Sequence, residues 1–342
     1  MEITTEIETE IKTAYVTAVH RERYELEAGG DTFYGRLKTS EFLYQKNEKE
    51  FPTVGDTVEV DYQSNGDSVI TGVLPRKSVF LRLNSTQGQP DQALAANFDY
   101  VFIVMSLNHD FHITKLERYL AVAWQSGGTP VVILSKADQC ENVEEYRKRA
   151  EKTAVGVEVL CLSAKTGEGM KGLEPFLRQG KTIVLLGSSG VGKSSLVNAL
   201  LGNDTMKTGE IREYDSQGRH TTTHRQCFIL PDKIMLEDGT KIAAGARIID
   251  TPGMRTLQVS HIEEGLSNTF ADIEEWSMQC KFRNCTHGGE PGCAIRAAIE
   301  NGNLPVKTWK NYLSMQKEEK FAEQRAKIRA RRQERRKGKA GK

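Results

Sequence analysis

The stretch Thr182-Ile-Val-Leu-Leu-Gly-Ser-Ser-Gly-Val-Gly-Lys-Ser-Ser195 runs from an apolar, strand-like segment through a glycine-rich turn into a helical pattern, and it restricts the possible folds more than any other feature of the chain. Phosphates are bound by a concave array of backbone N–H groups at a helix N-terminus, with a lysine as point charge. Gly187, Ser188, Ser189, Gly190, Val191 and Gly192 are expected to form that cradle, continued by the first helical residues Lys193, Ser194 and Ser195. Lys193 should reach the β- and γ-phosphates, and the Ser194 hydroxyl should bind Mg²⁺. Downstream, Asp250-Thr-Pro-Gly253 ends a second apolar run. A carboxylate there suits contact with Mg²⁺ through water, and the Gly253 N–H suits sensing of the γ-phosphate.

Two motifs upstream of the loop choose the base. In Ser135-Lys136-Ala137-Asp138 the carboxylate of Asp138 matches the N1–H and N2–H₂ donors of guanine, which adenine lacks, while Lys136 lies across base and loop. In Ser163-Ala164-Lys165 a backbone N–H near Ala164 would meet guanine O6. A site built to pair those donors rejects a base without them, because its own carboxylate is left buried and unpaired. GTP and GDP are therefore expected in preference to ATP. Ser135 stands where guanine motifs usually have asparagine, so the loss of a bracing amide and weaker nucleotide binding are expected. The usual GTPase order places these two motifs after the phosphate loop. Here they precede it, so the order is a circular permutation, which leaves the sheet intact if strand neighbours are kept.

The rest of the chain fits around this core. Residues 13–74 hold five short alternating runs separated by Gly, Asp, Asn and Pro, the pattern of a small closed barrel of OB type. From residue 99 continuous β-branched runs alternate with amphipathic helices, which predicts a mostly parallel sheet covered on both faces. Ligands in such sheets gather at the carboxyl ends of the strands, where every motif above falls. The fold class expected is thus α/β: an N-terminal OB-like barrel (1–75), a circularly permuted phosphate-loop GTPase domain (90–260), a helical zinc-binding region (261–315) and a basic tail (316–342). The segment 231–246, ahead of the Asp250 motif, looks expanded.

The helical region carries Cys280-x4-Cys285-x-His287-x5-Cys293. Three thiolates and an imidazole with a polar, Gly-rich spacer match a closed, structural tetrahedral zinc site. Cys140, Cys161 and Cys227 are expected to be structural thiols. The acidic start lacks the apolar core of a secretion signal, and no apolar run approaches the ~20 residues of a membrane span, so a reducing cytoplasm and no membrane partner are expected. Net charge is +1, yet ten of the basic residues and one acidic residue lie from Arg325 onward, so the remainder is net acidic. Such a tail is either a solvated end or a nucleic-acid contact.

Taken together, these motifs resemble the RsgA (YjeQ/YloQ) family of ribosome-small-subunit-dependent GTPases over about residues 13–315. The resemblance implies a slow GTPase that binds the small (30S) ribosomal subunit and its 16S rRNA and assists late maturation, acting as a monomer with one structural Zn²⁺ and with Mg²⁺ carried by GTP. It also identifies Gly218-Arg-His-Thr-Thr-Thr-His224 with the family's first switch, in which one of Thr221, Thr222 and Thr223, with Thr222 favoured, completes the Mg²⁺ site. Met254 stands where many GTPases carry a water-orienting glutamine, so slow intrinsic hydrolysis is expected. By the residues alone, a GTPase of another RNA-linked pathway such as tRNA modification, or an RNA chaperone with a structural nucleotide site, remains open.

Overall fold

Alternating side chains at the start of the chain close into a barrel. Strands β1 (Thr13–Val19), β2 (Tyr24–Ala28), β3 (Asp31–Leu37), β4 (Thr57–Asp61) and β5 (Ser68–Val73) pair in the order β1–β2–β3–β5–β4, and β4 returns to β1. All neighbours are antiparallel except β3 and β5, which run parallel. Every second residue points inward, so Ala14, Val16, Leu26, Val58, Val60 and Ile70 make a barrel core of their own. The computed structural model describes residues 12–20, 23–38, 51–82, 92–107, 111–202, 225–236, 239–250 and 262–340.

A hairpin of β6 (Val79–Arg82) and β7 (Gln92–Ala96) leads out of the barrel, and its Phe80 stacks on Phe98 at a centroid distance of 4.9 Å. Strand–helix alternation then begins: β8 (Tyr100–Ser106), α1 (Ile113–Gln125), β9 (Thr129–Ser135), α2 (Val143–Thr153), β10 (Glu158–Cys161), β11 (Thr182–Leu186), α3 (Lys193–Leu201), β12 (Arg225–Ile229) and β15 (Arg247–Asp250). The sheet order is β10–β9–β8–β11–β15–β12, parallel throughout except for the antiparallel β12. All five residues of β11 are buried, as are the last six of β8, because helices cover both faces. Two hydrophobic clusters flank the sheet accordingly.

Residues 231–246 form a small hairpin of β13 (Lys233–Met235) and β14 (Lys241–Ala243) outside the main sheet. On the far side of β12, β1 adds through Ala18↔Gln226 and Val19↔Arg225, so barrel and parallel sheet are one 11-stranded sheet. The chain ends in α4 (Glu263–Thr269), α5 (Ala271–Met278), α6 (Ala294–Glu300) and the 35-residue α7 (Val306–Ala340). Their core, including Leu266, Phe270, Ile295 and Met315, also takes in Ala121 of α1. The described side chains at Phe321, Gln324, Lys327, Ile328 and Arg331 are exposed, and those of Ala322 and Glu323 are half-buried.

Candidate nucleotide and metal sites

The nucleotide motifs meet at the carboxyl edge of the parallel sheet. Strand β11 ends at Leu186, and the turn that follows passes so close to β8 that a Cβ on Gly187 would lie 2.3 Å from the Val104 carbonyl oxygen. Only glycine fits there. Gly192, at φ 96°, turns the chain directly into the first turn of α3. Lys193 folds back over the loop, its Nζ donating to the carbonyls of Gly187 (2.7 Å) and Ser188 (2.5 Å). Val191 is buried, Ser194 is half-buried on the first turn of α3, and Ser189, Gly190 and Ser195 are exposed.

The first of the two motifs expected to select the base docks on this loop, and the second adjoins the first. The Lys136 backbone is left-handed, at φ 59°, and its Nζ donates to Gly190 O at 2.8 Å. Ser135 is 4% exposed, and its hydroxyl donates to the carbonyls of Val191 (2.5 Å) and Met105 (3.3 Å). The amide is absent, but the serine hydroxyl at the same position ties this loop to the phosphate loop. Ala137 N–H donates to Leu162 O at 3.2 Å, joining this loop to the next. There the buried Ser163 hydroxyl accepts from the N–H groups of Lys165 (3.3 Å) and Thr166 (3.2 Å), which holds Ala164 in the turn. Asp138 and Lys165 are exposed on the same rim.

Asp250 ends β15 beside β11. Burial pushes its carboxyl up from the usual carboxylate range, and the Lys193 ammonium opposes that shift. A hydroxyl at Ser194 and this carboxylate are hard oxygen donors of the kind a magnesium ion accepts. The threonines Thr221, Thr222 and Thr223, together with Gly253 and Met254, lie outside the described residues.

One pair of contacts had not been foreseen. The Lys115 Nζ lies 3.0 Å and the Tyr119 hydroxyl 3.2 Å from the Ser188 hydroxyl, so two side chains of α1 grip the phosphate loop from behind. The signal available was weak: two polar residues four apart on a helix otherwise read as a surface amphipath.

In the C-terminal region the ligand atoms of Cys280, Cys285, His287 and Cys293 all lie within 4.8 Å of one another. His287 turns its Nδ1 toward the sulfurs of Cys280 (3.6 Å) and Cys293 (3.5 Å), with its backbone at φ 60°. Its other nitrogen faces Ser277 Oγ at 3.4 Å, and Trp309 meets the ring edge-on at 5.7 Å. Backbone N–H groups of Ala294 and Arg296 approach the sulfurs of Cys280 (3.4 Å) and Cys293 (3.5 Å). Desolvation works against ionising the Cys280 thiol, but the backbone amides of Ala294 and Ile295 and the two neighbouring thiols outweigh it and hold the group below its ordinary range. A soft-donor set with one imidazole nitrogen and N–H···S support is able to hold a metal ion. The Glu290 carboxylate, which was also not foreseen, accepts from Thr286 Oγ1 and N and from the N–H groups of Gly288 and Gly289. Those bonds, the Thr286 hydroxyl first, pull it down to about 2 and hold the spacer between the ligands in shape.

The three thiols outside the cluster differ in setting. Burial pushes Cys227 up to about 12 and Cys161 up to about 11, which leaves both as unreactive packing groups, while Cys140 is half-buried against the same core as Cys161. Among the described residues no helix is long and apolar enough to cross a membrane.

Comparison with known proteins places this arrangement. Residues 73–260 match the family model described as RsgA GTPase. A small ribosomal subunit biogenesis GTPase RsgA 1 of Listeria monocytogenes is 45% identical over 89% of this chain and 82% of its own length. Among solved structures, YjeQ from Thermotoga maritima superposes with a TM-score of 0.62 at 26% identity, covering 89% of this chain and 96% of that one. YloQ, a circularly permuted GTPase, does so with a TM-score of 0.59 at 25% identity, covering 90% of this chain and 94% of that one. With a family model over more than half its length and a relative of this identity across most of it, the chain is a member of the RsgA GTPase family.

Proposed function

We propose that this chain hydrolyses GTP slowly on its own and acts on the small (30S) ribosomal subunit, assisting a late step of its maturation. The observation that carries the proposal is the convergence of the phosphate loop, Ser135–Asp138, Ser163–Lys165 and Asp250 on one edge of the sheet, with hydrogen bonds joining the phosphate loop to Ser135 and Lys136, and Ala137 to Leu162 at the head of the third motif. In this reading the loop residues 187–195 cradle the phosphates, Lys193 neutralises their charge, and Asp138 accepts from the guanine edge while Ala164 N–H donates to O6. Ser194 and Asp250, with Thr222, would hold Mg²⁺, which when bound offsets the negative charge that builds on the transferred phosphoryl group. Gly253 would sense the γ-phosphate.

Residues 1–75 would act as an RNA-binding barrel, 90–260 as the GTPase domain, 261–315 as the zinc-bearing region and 316–342 as a basic arm, in a cytoplasmic monomer. The barrel offers chemistry suited to 16S rRNA: Tyr34 and Tyr62 are exposed, and the Arg23 guanidinium lies 4.2 Å from the Tyr34 ring centroid. Aromatic faces and arginine planes stack unpaired bases. The Cys280, Cys285, His287 and Cys293 set is assigned to zinc, because three thiolates and one imidazole close a tetrahedron and leave no position for a substrate.

Base selectivity tests the nucleotide reading. The unmodified protein should bind GTP and GDP well and ATP at least about tenfold more weakly, and Asp138→Asn should shift the preference toward xanthosine nucleotides, whose ring carries an oxygen in place of the amino group. Equal affinity for ATP and GTP in the unmodified protein would overturn the assignment.

A further inference from the structure

Helix α1 carries two contact stripes. Lys115 and Tyr119, four residues apart, share the face that reaches the Ser188 hydroxyl at 3.0 and 3.2 Å. Glu117, Ala121 and Gln125 form a second stripe, turned from the first by about 200°, the rotation of two residues on an α-helix. That second face is locked to the C-terminal helices. Glu117, 2% exposed, accepts from Thr308 Oγ1 at 2.7 Å and Asn311 Nδ2 at 2.6 Å, both on α7. Gly265 of α4 lies so close to Ala121 that a Cβ would be 2.0 Å from the Ala121 carbonyl oxygen, and its N–H donates to Gln125 Oε1 at 3.2 Å. Arg118, between the stripes, makes a two-pronged ion pair with Glu318 of α7 at 3.0 and 2.7 Å. One residue further along α7, the buried Glu319 carboxylate accepts from Ile262 N–H at 2.9 Å, at the head of α4.

We infer that Lys115 and Tyr119 are positioning residues of the GTPase reaction, holding Ser188 of the phosphate loop and coupling that loop through α1 to helix α7. The inference rests on the phosphate loop being the GTP site. Ser188 is held twice, its carbonyl by Lys193 and its hydroxyl by Lys115 and Tyr119. Lys193 is also the group that must answer the arriving phosphates, so any change in its bonds to the loop is felt at Ser188. A helix is stiff along its axis, and a shift of one face moves the other. The buried Glu117 contacts and the Gly265 approach leave no slack on the far side, because close-packed interfaces transmit small displacements. The C-terminal region is thus joined to the nucleotide by a route separate from the chain segment after Asp250.

The test is a double-mutant cycle read in nucleotide affinity, together with amide exchange of α7. Lys115→Met should weaken binding of a non-hydrolysable GTP analogue about fivefold, the worth of one hydrogen bond. Ser188→Ala, which loses the Tyr119 contact as well, should weaken it further, and the double variant should be no weaker than Ser188→Ala alone. In the parent protein, peptides over residues 306–315 should exchange differently with GDP and with the analogue. In Lys115→Met, and in Tyr119→Phe, which removes a single hydroxyl and leaves the packing, that difference should fall at least about threefold at saturating nucleotide, since a transmitted shift scales with the contacts that carry it. Independent effects of Lys115 and Ser188, a parent protein with no nucleotide-dependent difference in α7, or a difference that survives both variants would each overturn the inference. Lys193→Ala separates it from the site reading. Full nucleotide binding in that variant overturns both, whereas independence in the cycle overturns the coupling alone.

Discussion

Ser135 ties two loops together with a single hydroxyl. It stands where an asparagine is usual, and from the sequence the shorter group reads as a loss, because residue type alone does not give the distance to be bridged. The distance turns out to be short: β9 ends close enough to the loop for a hydroxyl to reach Val191 O at 2.5 Å. Ser135→Ala should therefore weaken GDP and GTP binding about fivefold to tenfold and lower thermal stability as well, by leaving the Val191 carbonyl without its buried donor. Titration calorimetry of the variant checks this, and unchanged affinity would show that the tie has no part in binding. That Lys193, Ser194, Asp250 and Asp138 gather at one edge of the sheet, and that Cys280, Cys285, His287 and Cys293 cluster, was legible because each sits in a short motif whose spacing is set by local geometry. Lys115 and Tyr119 were not, since their partner lies 73 and 69 residues away and only the sheet order brings them together.

Among the elements, the short helices of the C-terminal region are the ones expected to depend on a metal held by Cys280, Cys285, His287 and Cys293. Helices of seven or eight residues are too short to hold by themselves, and α4, α5 and α6 have these lengths. The cluster joins the end of α5 to the start of α6, and His287 meets Trp309 of α7. Elemental analysis should find one zinc per chain in protein purified without chelators. Stripping it, or Cys293→Ser, should loosen this region while GDP affinity changes by less than about twofold, because the nucleotide motifs lie on other elements. A protein without zinc, or one that loses GDP binding together with its metal, would contradict this. The β13–β14 hairpin was visible only as extra length ahead of Asp250, because three-residue strands carry too little alternation to be read as a pair.

At the scale of the whole molecule, strand pairing joins the barrel to the GTPase sheet. β12 pairs with β1 of the barrel on one side and β15 on the other, and β15 ends at Asp250. The barrel is therefore an extension of the sheet that carries the nucleotide, a continuity that hydropathy patterns could not reveal because strand order is set by pairing across hundreds of residues. Helix α7 runs unbroken to Ala340, so the basic end continues a helix rooted in the core. Truncation after Gln324 removes ten basic residues. It should weaken small-subunit binding mainly at low salt and flatten the salt slope, since each phosphate neutralised by the arm releases counterions. Intrinsic GTP hydrolysis should not change, and an unaltered affinity and slope would show the arm to be a solubilising end. The most direct measurement is GTP turnover by the full chain with and without purified small ribosomal subunits. The account predicts slow turnover alone and at least about tenfold faster turnover with subunits, a lowering of the barrier by roughly 1.4 kcal/mol or more. Turnover that is the same in both would contradict it.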